Sequence, residues 1–329
     1  MLSVTYFYRE PRKTGVSIEG IFRLVKNCLI SKVDIKEFYC DAQFSRFKNI
    51  IEAGKHASNI NHITGDVNFL ALGLRGSKVI LTIHDLGHYD TLKKRGKLQH
   101  LIYKWFWFSL PLKYVTIVTV VSEFTKNKLI EYFQFPEDRI RLIYDPVKPV
   151  FECSPKDGLS ECPRILMMGT GKHKNLIGLI EASKGKNVHL DIIGWPSEDE
   201  LEKMKVYKIS YCLYNKLSDE EVYTRYKACD IMFMASFYEG FGMPIIEAQS
   251  VGRPVITSNI GAMKEVAKDA AILVDPNKPE EISAAIDQLI NDRVLYDRFV
   301  MLGYENIVPY KHEVIAQQYA EVYAEMAKI

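Results

Sequence analysis

Through most of the chain, apolar runs of strand length alternate with amphipathic stretches of helix length, the pattern of parallel sheets whose strands are joined by crossover helices. The N-terminus, Met-Leu-Ser-Val-Thr-Tyr-Phe-Tyr, reads as a first strand. Lys78 to His84 and Tyr114 to Val121 read as further strands, and Ser122 then reads as the N-cap of a helix from Glu123 to Phe133. Pro136 and the Pro146 to Pro149 segment break the alternation and make the best linker. The pattern restarts with a strand from Arg164 to Met168, a helix over about Asn175 to Ser183 and a strand from Val188 to Ile193. A helix from Asp219 to Cys229, a strand from Asp230 to Ala235, a helix carrying Glu247 and a strand from Pro254 to Thr257 follow. After residue 279 only helices are expected, the last over about His312 to Ala327, with Pro309 before it. The chain has 329 residues, enough for two ordinary domains, so the two series read as two Rossmann-like units with a cleft between them.

Composition narrows the class. The chain is 47% hydrophobic and 26% charged, as in globular proteins, and no apolar run approaches the roughly 20 residues of a membrane span. The N-terminus lacks the basic start and cleavage site of a signal peptide. The cysteines Cys28, Cys40, Cys153, Cys162, Cys212 and Cys229 form no close pair, which predicts reduced thiols in a cytoplasmic protein and neither a disulfide frame nor a zinc site. Residues 1–150 hold 23 Lys and Arg against 14 Asp and Glu, net +9, whereas residues 151–329 hold 20 against 27, net −7. A basic first half predicts an anionic partner, although two domains also differ in charge by chance.

Two glycine-bearing turns carry the candidate chemistry. The stretch Glu239-Gly240-Phe241-Gly242-Met243 opens a helix and is followed by Glu247. A glycine turn before a helix start bares backbone N–H groups and adds the helix dipole, an arrangement suited to an anion, while carboxylates beside it suit sugar hydroxyls. A nucleotide sugar offers both. The second turn, Gly169-Thr170-Gly171-Lys172-His173-Lys174-Asn175, lies between a strand and a helix. A P-loop would need Gly where Leu166 stands and Ser or Thr where His173 stands. A dinucleotide fingerprint would need Gly at Lys174, despite Asp191 at a fitting distance. His84 and Asp85 end a strand, where open α/β sheets place ligands, and Asp85 reads as the cap of the next loop. Asn61-His62-Ile63-Thr64-Gly65-Asp66 reads as a polar loop after an irregular strand, and Gly15 lies in the first strand-to-helix connection. Lys93, Lys94, Arg95 and Lys97 precede an aromatic-rich helix with Trp105 and Trp107. This is the composition of an interfacial membrane helix or of a helix whose aromatics fill the domain core. No Asp-x-Asp triplet occurs in the chain.

From Glu239 through Glu247 to Gly252-Arg253-Pro254, and in Val120 to Lys126, Gly169 to Asn175 and Leu217 to Asp230, the chain resembles the retaining glycosyltransferases of the family 4 type, which have the GT-B fold. The resemblance covers most of residues 60–325. It implies an α/β protein of two facing Rossmann-like domains, an acceptor domain over 1–149, a nucleotide-sugar domain over 150–307 and a final helix over 308–329 returning to the first. It also implies that Glu239 contacts the donor sugar, Glu247 the ribose and Lys174 the diphosphate, with His84 facing the sugar. The amides from Gly240 through Phe241 and Gly242 to Met243 would face the phosphates, and the stretch around Asn215 the base. Gly15 would lie near the phosphates, and His62 and Asp66 on the acceptor side. Thr170 stands where the family usually has arginine, with Lys172 as the replacement charge. The function implied is transfer of a hexose-like sugar from a nucleoside diphosphate to a glycan or lipid-linked acceptor in bacterial surface polysaccharide assembly. No cofactor, metal or nucleic acid is expected, and the location is cytoplasmic or peripheral at an anionic membrane. An epimerase or a phosphorylase on the same fold, and a non-catalytic sugar-nucleotide binder, are the alternatives.

Overall fold

A computed structural model of the protein describes residues 2–10 and 17–329; Gly15 lies outside the described residues, as do the side chains of Lys94, Arg95 and Lys97. The chain forms two compact units, one of Met1–Pro146 with Lys311–Ile329 and one of Val147–Tyr310.

The first unit is built on the parallel strands β1 (Leu2–Tyr8), β2 (Val33–Tyr39), β3 (Ile60–Ile63), β4 (Lys78–Ile83), β5 (Ile117–Val120) and β6 (Ile140–Leu142), in the order β2-β1-β3-β4-β5-β6. Alternation along β1 sends Tyr6 to one apolar layer and Phe7 to the other, so both sheet faces are covered. On the Tyr6 face the helix Ser17–Leu29 contributes Ile21, Phe22 and Val25, and the last helix, His312–Lys328, contributes Ile315, Tyr319, Tyr323 and Met326. Ser122 caps the helix Glu123–Phe133 by accepting from the Thr125 amide.

The Asn61 to Asp66 stretch differs from expectation. Its first residues are not loop but β3, and Asn61 and His62 are fully buried. His62 contacts Tyr323 Oη through Nδ1 and Thr82 Oγ1 through Nε2, both at 2.8 Å. Tyr323 reaches on to Tyr6 (2.8 Å), and Thr82 to Thr119 (2.6 Å). Burial, with the nearby His84 charge, lowers the imidazole to about 3, so His62 is neutral. The acceptor-side role expected of His62 is therefore corrected: the ring fastens the last helix to β1, β3 and β4.

The second unit is built on the parallel strands β7 (Arg164–Met168), β8 (His189–Ile193), β9 (Ser210–Tyr214), β10 (Ile231–Met234), β11 (Val255–Ser258) and β12 (Ile272–Val274), in the order β12-β11-β10-β7-β8-β9. This is the doubly wound order whose reversal point lies between β7 and β10. The helix Met243–Val251 starts from the β10 connection, and every residue from Ile245 to Val251 is buried. The helix is buried although it carries Gln249, Ser250 and one acidic residue, Glu247.

Candidate active site

At the carboxyl ends of β7 and β10 the two glycine turns meet. The Phe237 amide donates to the His173 carbonyl at 2.7 Å. Asn175, in the left-handed region at φ 65°, caps the helix Leu176–Ala182, and its Nδ2 donates to the carbonyls of Ala235 (3.0 Å) and Pro276 (2.8 Å). Asparagine tolerates that conformation better than most residues. Gly178 leaves room for it, since a Cβ there would lie 2.6 Å from Asn175 Oδ1.

So fastened, the turns bring Lys174 Nζ within 2.7 Å of Glu239 Oε1, with side chains 20% and 15% exposed. The contact is an ion pair by distance, but Oε1 accepts no well-directed hydrogen bond. Gly169, at φ 85°, gives the lysine stem its path; a Cβ there would lie 3.2 Å from Lys174 Cε. Gly242, at φ 115°, starts the helix Met243–Val251, which has Pro244 in its first turn and no side-chain cap. Gly240, Phe241 and Met243 complete that turn, beside Glu239.

The remaining expected donor residues fall differently. Thr170 Oγ1 donates to the Trp195 carbonyl at 2.7 Å, so its hydroxyl proton is committed to the loop after β8. Lys172 is exposed, and Asn215 is half-buried just beyond β9. Glu247 sits in the second turn of its helix, 6% exposed, and accepts from Tyr226 Oη at 2.9 Å. Tyr226 is a partner the sequence did not reveal, because nothing in one chain couples a buried tyrosine to a glutamate 21 residues on. Burial pushes the Glu247 carboxyl up from 4.5 to about 7, against the Tyr226 hydrogen bond and the charges of Lys148 and Lys174.

That shift has a measurable sign. A carboxyl raised on folding adds no penalty below pH 4.5, and the cost of its buried charge then grows as pH rises through about 7. Glu247→Gln keeps an acceptor for Tyr226 and removes the charge. Its stability relative to wild type should therefore improve by roughly 3 kcal/mol between pH 4.5 and pH 8 in urea unfolding. A difference that stays flat with pH would contradict the raised carboxyl.

Asp191, the residue at dinucleotide spacing, is buried and bound by Arg164 through Nε (2.8 Å) and Nη2 (2.6 Å). With His189 and Cys212 it makes a group whose ligand atoms lie within 4.8 Å of one another, a cluster not apparent from cysteine spacing. The guanidinium already occupies its carboxylate.

The first unit has a cavity of about 950 Å³ beyond the ends of β3 and β4. His84, Asp85 and Asp66 line one wall, and Tyr103, Phe106 and Trp107 another. The aromatic wall comes from the helix Lys97–Tyr103 and a π-helical turn, Lys104–Ser109. Tyr103 stacks on Trp107 with centroids 5.6 Å apart, and Arg46 lies 5.1 Å above Trp107. His84 Nε2 donates to the Thr64 carbonyl at 2.9 Å, and Nδ1 faces Asp145 Oδ1 at 3.7 Å. Burial alone would lower the imidazole, but Asp145, the Thr64 carbonyl and Asp66 together hold it above its ordinary value. Gly65 is required at φ 140°, since a Cβ would stand 2.8 Å from His84 Cδ2. Asp66 pairs with Arg9 Nη1 at 2.6 Å, and Asp85 accepts from the Gly87 amide at 2.7 Å, the capping role expected of it.

These two sites can be set beside known proteins. The family model for glycosyl transferases group 1 matches residues 156–305, and that for glycosyltransferase family 4 matches residues 43–150. The chain belongs to the group 1, family 4-type glycosyltransferases. The chain is 34% identical over 202 residues to the O-antigen chain mannosyltransferase B of Escherichia coli, a match covering 54% of the chain and 52% of that relative. The chain thus spans about half the length of that curated relative. Its fold is that of a glycosyltransferase from Rickettsia africae (TM-score 0.75, 20% identity, 99% of both chains). It is also that of Anabaena HepE, solved with UDP and glucose (TM-score 0.77, 14% identity, 99% of this chain and 100% of HepE). The architecture is GT-B, with two six-stranded parallel sheets.

Proposed function

We propose that the protein transfers a hexose-like sugar from a nucleoside diphosphate to a glycan or lipid-linked acceptor in surface polysaccharide assembly, with retention at the anomeric carbon. The meeting of Lys174 and Glu239 beside an uncapped helix start, at the reversal point of the second sheet, carries this reading. One side of the turn suits a diphosphate and the other suits sugar hydroxyls. The O-antigen relative supports a polysaccharide setting.

In this reading Lys174 and the amides from Gly240 to Met243 hold the diphosphate, Glu239 the sugar hydroxyls and Glu247 the ribose. Thr170, Lys172 and Asn215 border the nucleotide. The bond from C1 to the phosphate oxygen breaks as the acceptor oxygen bonds C1 on the same face, and the acceptor proton passes to the departing phosphate oxygen. Lys174 and the helix start stabilise the charge that develops there, a task other glycosyltransferases give to a metal held by Asp-x-Asp. The test is nucleoside diphosphate release from UDP-, GDP- and ADP-sugars, with and without acceptor, in EDTA. Acceptor-dependent release in the chelator is expected. Release that disappears with EDTA and returns with magnesium or manganese would contradict metal independence, and donor consumption without acceptor would favour an epimerase.

The acceptor side is assigned to the first unit and its aromatic cavity. Leu98, Leu101, Ile102 and Trp105 are exposed (71, 57, 60 and 57%) at i, i+3, i+4 and i+7, one face of a helical segment that also carries Lys104. Such a face beside basic residues suits an anionic bilayer presenting a lipid-linked acceptor. No described helix is long and apolar enough to cross a membrane. Flotation with phosphatidylglycerol vesicles should carry the protein, and vesicles of phosphatidylcholine alone should not. Equal, negligible flotation with both would contradict the surface.

A further inference from the structure

Lys174 and Glu239 are each other's partner, at 2.7 Å and with most of both side chains withdrawn from water. Glu239 Oε1 is buried and accepts no well-directed hydrogen bond, so the lysine charge is what compensates it. A diphosphate that draws Lys174 away therefore leaves a largely buried carboxylate without its cation, which is unfavourable unless something else donates to it. A free nucleoside diphosphate carries its sugar hydroxyls only on the ribose, which the proposed site gives to Glu247, and has none beyond its terminal phosphate. A nucleoside diphosphate sugar brings hydroxyl groups together with its phosphates.

We infer that the Lys174–Glu239 pair is a discrimination device: the site takes an intact nucleotide sugar in preference to the nucleoside diphosphate because only the intact molecule satisfies both halves of the pair at once. The inference rests on the proposed donor site and assigns that site its selectivity. It also gives the product a route out. Once the sugar has left, Glu239 again competes with the nucleoside diphosphate for Lys174, so the spent nucleotide is held less tightly than the donor. Asn175 and the bond between Phe237 and His173 keep the turns in register, so the pair can re-form without moving the backbone.

The consequence runs against intuition for a binding residue. Removing the carboxylate charge should strengthen binding of the bare nucleotide. The experiment is calorimetric titration of UDP, GDP and ADP, and of UDP-glucose, GDP-mannose and ADP-glucose, into wild type, Glu239→Gln, Lys174→Ala and the double variant. For whichever base binds, Glu239→Gln should tighten the bare nucleoside diphosphate about tenfold and lower the preference for the sugar conjugate by at least as much. In the Lys174→Ala background the same substitution should no longer tighten it, because no lysine remains to be released. Tightening of similar size in both backgrounds would mean general repulsion between Glu239 and phosphate, and would overturn the inference. So would an unchanged or weaker nucleotide affinity in Glu239→Gln while Lys174→Ala weakens binding, an outcome that leaves the donor site standing. If Lys174→Ala changes neither affinity, the donor site itself is wrong. Unfolding midpoints of all four proteins, measured alongside, separate lost affinity from lost fold, and Glu239→Gln, having the same shape as the native residue, keeps the comparison available if Lys174→Ala is unstable.

Discussion

Glu239→Gln is expected to lower turnover on the order of a hundredfold while the protein still binds nucleotide. The substitution keeps the size of the side chain and its ability to accept hydrogen bonds, so what it removes is the charge. In the proposed reaction C1 of the sugar gains positive character as the phosphate departs, and a carboxylate bonded to the sugar hydroxyls tightens its grip at that moment. Interactions that strengthen only in the transition state appear in kcat more than in donor affinity. The loss of one charge-assisted hydrogen bond, about 1.5–3 kcal/mol, corresponds to a rate loss from roughly tenfold to above a hundredfold. The upper part of that range is expected because Glu239 is only 15% exposed and therefore poorly screened. Steady-state kinetics with the intact donor decides the matter, and a kcat within about threefold of wild type would remove Glu239 from the reaction.

The largest stability effect is expected in the first unit. His62→Ala removes a fully buried ring that packs edge-on against Tyr6 and Phe22, with centroids 5.5 and 4.9 Å away, and that bonds both Tyr323 and Thr82. The cavity and the broken network together should cost about 3–5 kcal/mol. Urea unfolding followed by the fluorescence of Trp105 and Trp107, both in this unit, reads the loss. His62→Gln retains one of the two polar contacts and should recover part of it. A His62→Ala protein of normal stability whose transfer activity is lost would reinstate His62 as an acceptor contact.

His62 also shows where the sequence stops being legible. Polar Asn61 and His62 followed by Thr64 and Gly65 resemble a loop, but β3 is covered on both faces, so its buried positions do not alternate with exposed ones. The hydroxyl that makes a buried imidazole tolerable comes from Tyr323, 261 residues away. By contrast, the helix Glu123–Phe133 was readable to its ends, because Ser122 is a local cap and the apolar run before it is β5. The strands β7, β8, β10 and β11 were readable within a residue or two for the same reason, being short apolar runs. The strands β9 and β12 were missed. The first, Ser-Tyr-Cys-Leu-Tyr, is an edge strand with no fully buried residue, and the second has three residues. In the second unit, the placement of Lys174 and Glu239 at strand ends followed from local motifs, whereas their 2.7 Å contact depends on β7 and β10 being neighbours, a property of strand order. The Trp105 and Trp107 ambiguity resolves by residue: Trp105 is 57% exposed, while Trp107 packs on Phe69 and Tyr103.

A crystal structure with a nucleoside diphosphate sugar bound tests the central claim most directly. The account expects the diphosphate at the start of the helix Met243–Val251 with an oxygen at hydrogen-bond distance from Lys174 Nζ, the Lys174–Glu239 contact broken, and Glu239 on the sugar hydroxyls. A nucleotide seated in the aromatic cavity of the first unit, or bound in the second with Lys174 still paired to Glu239, would contradict it.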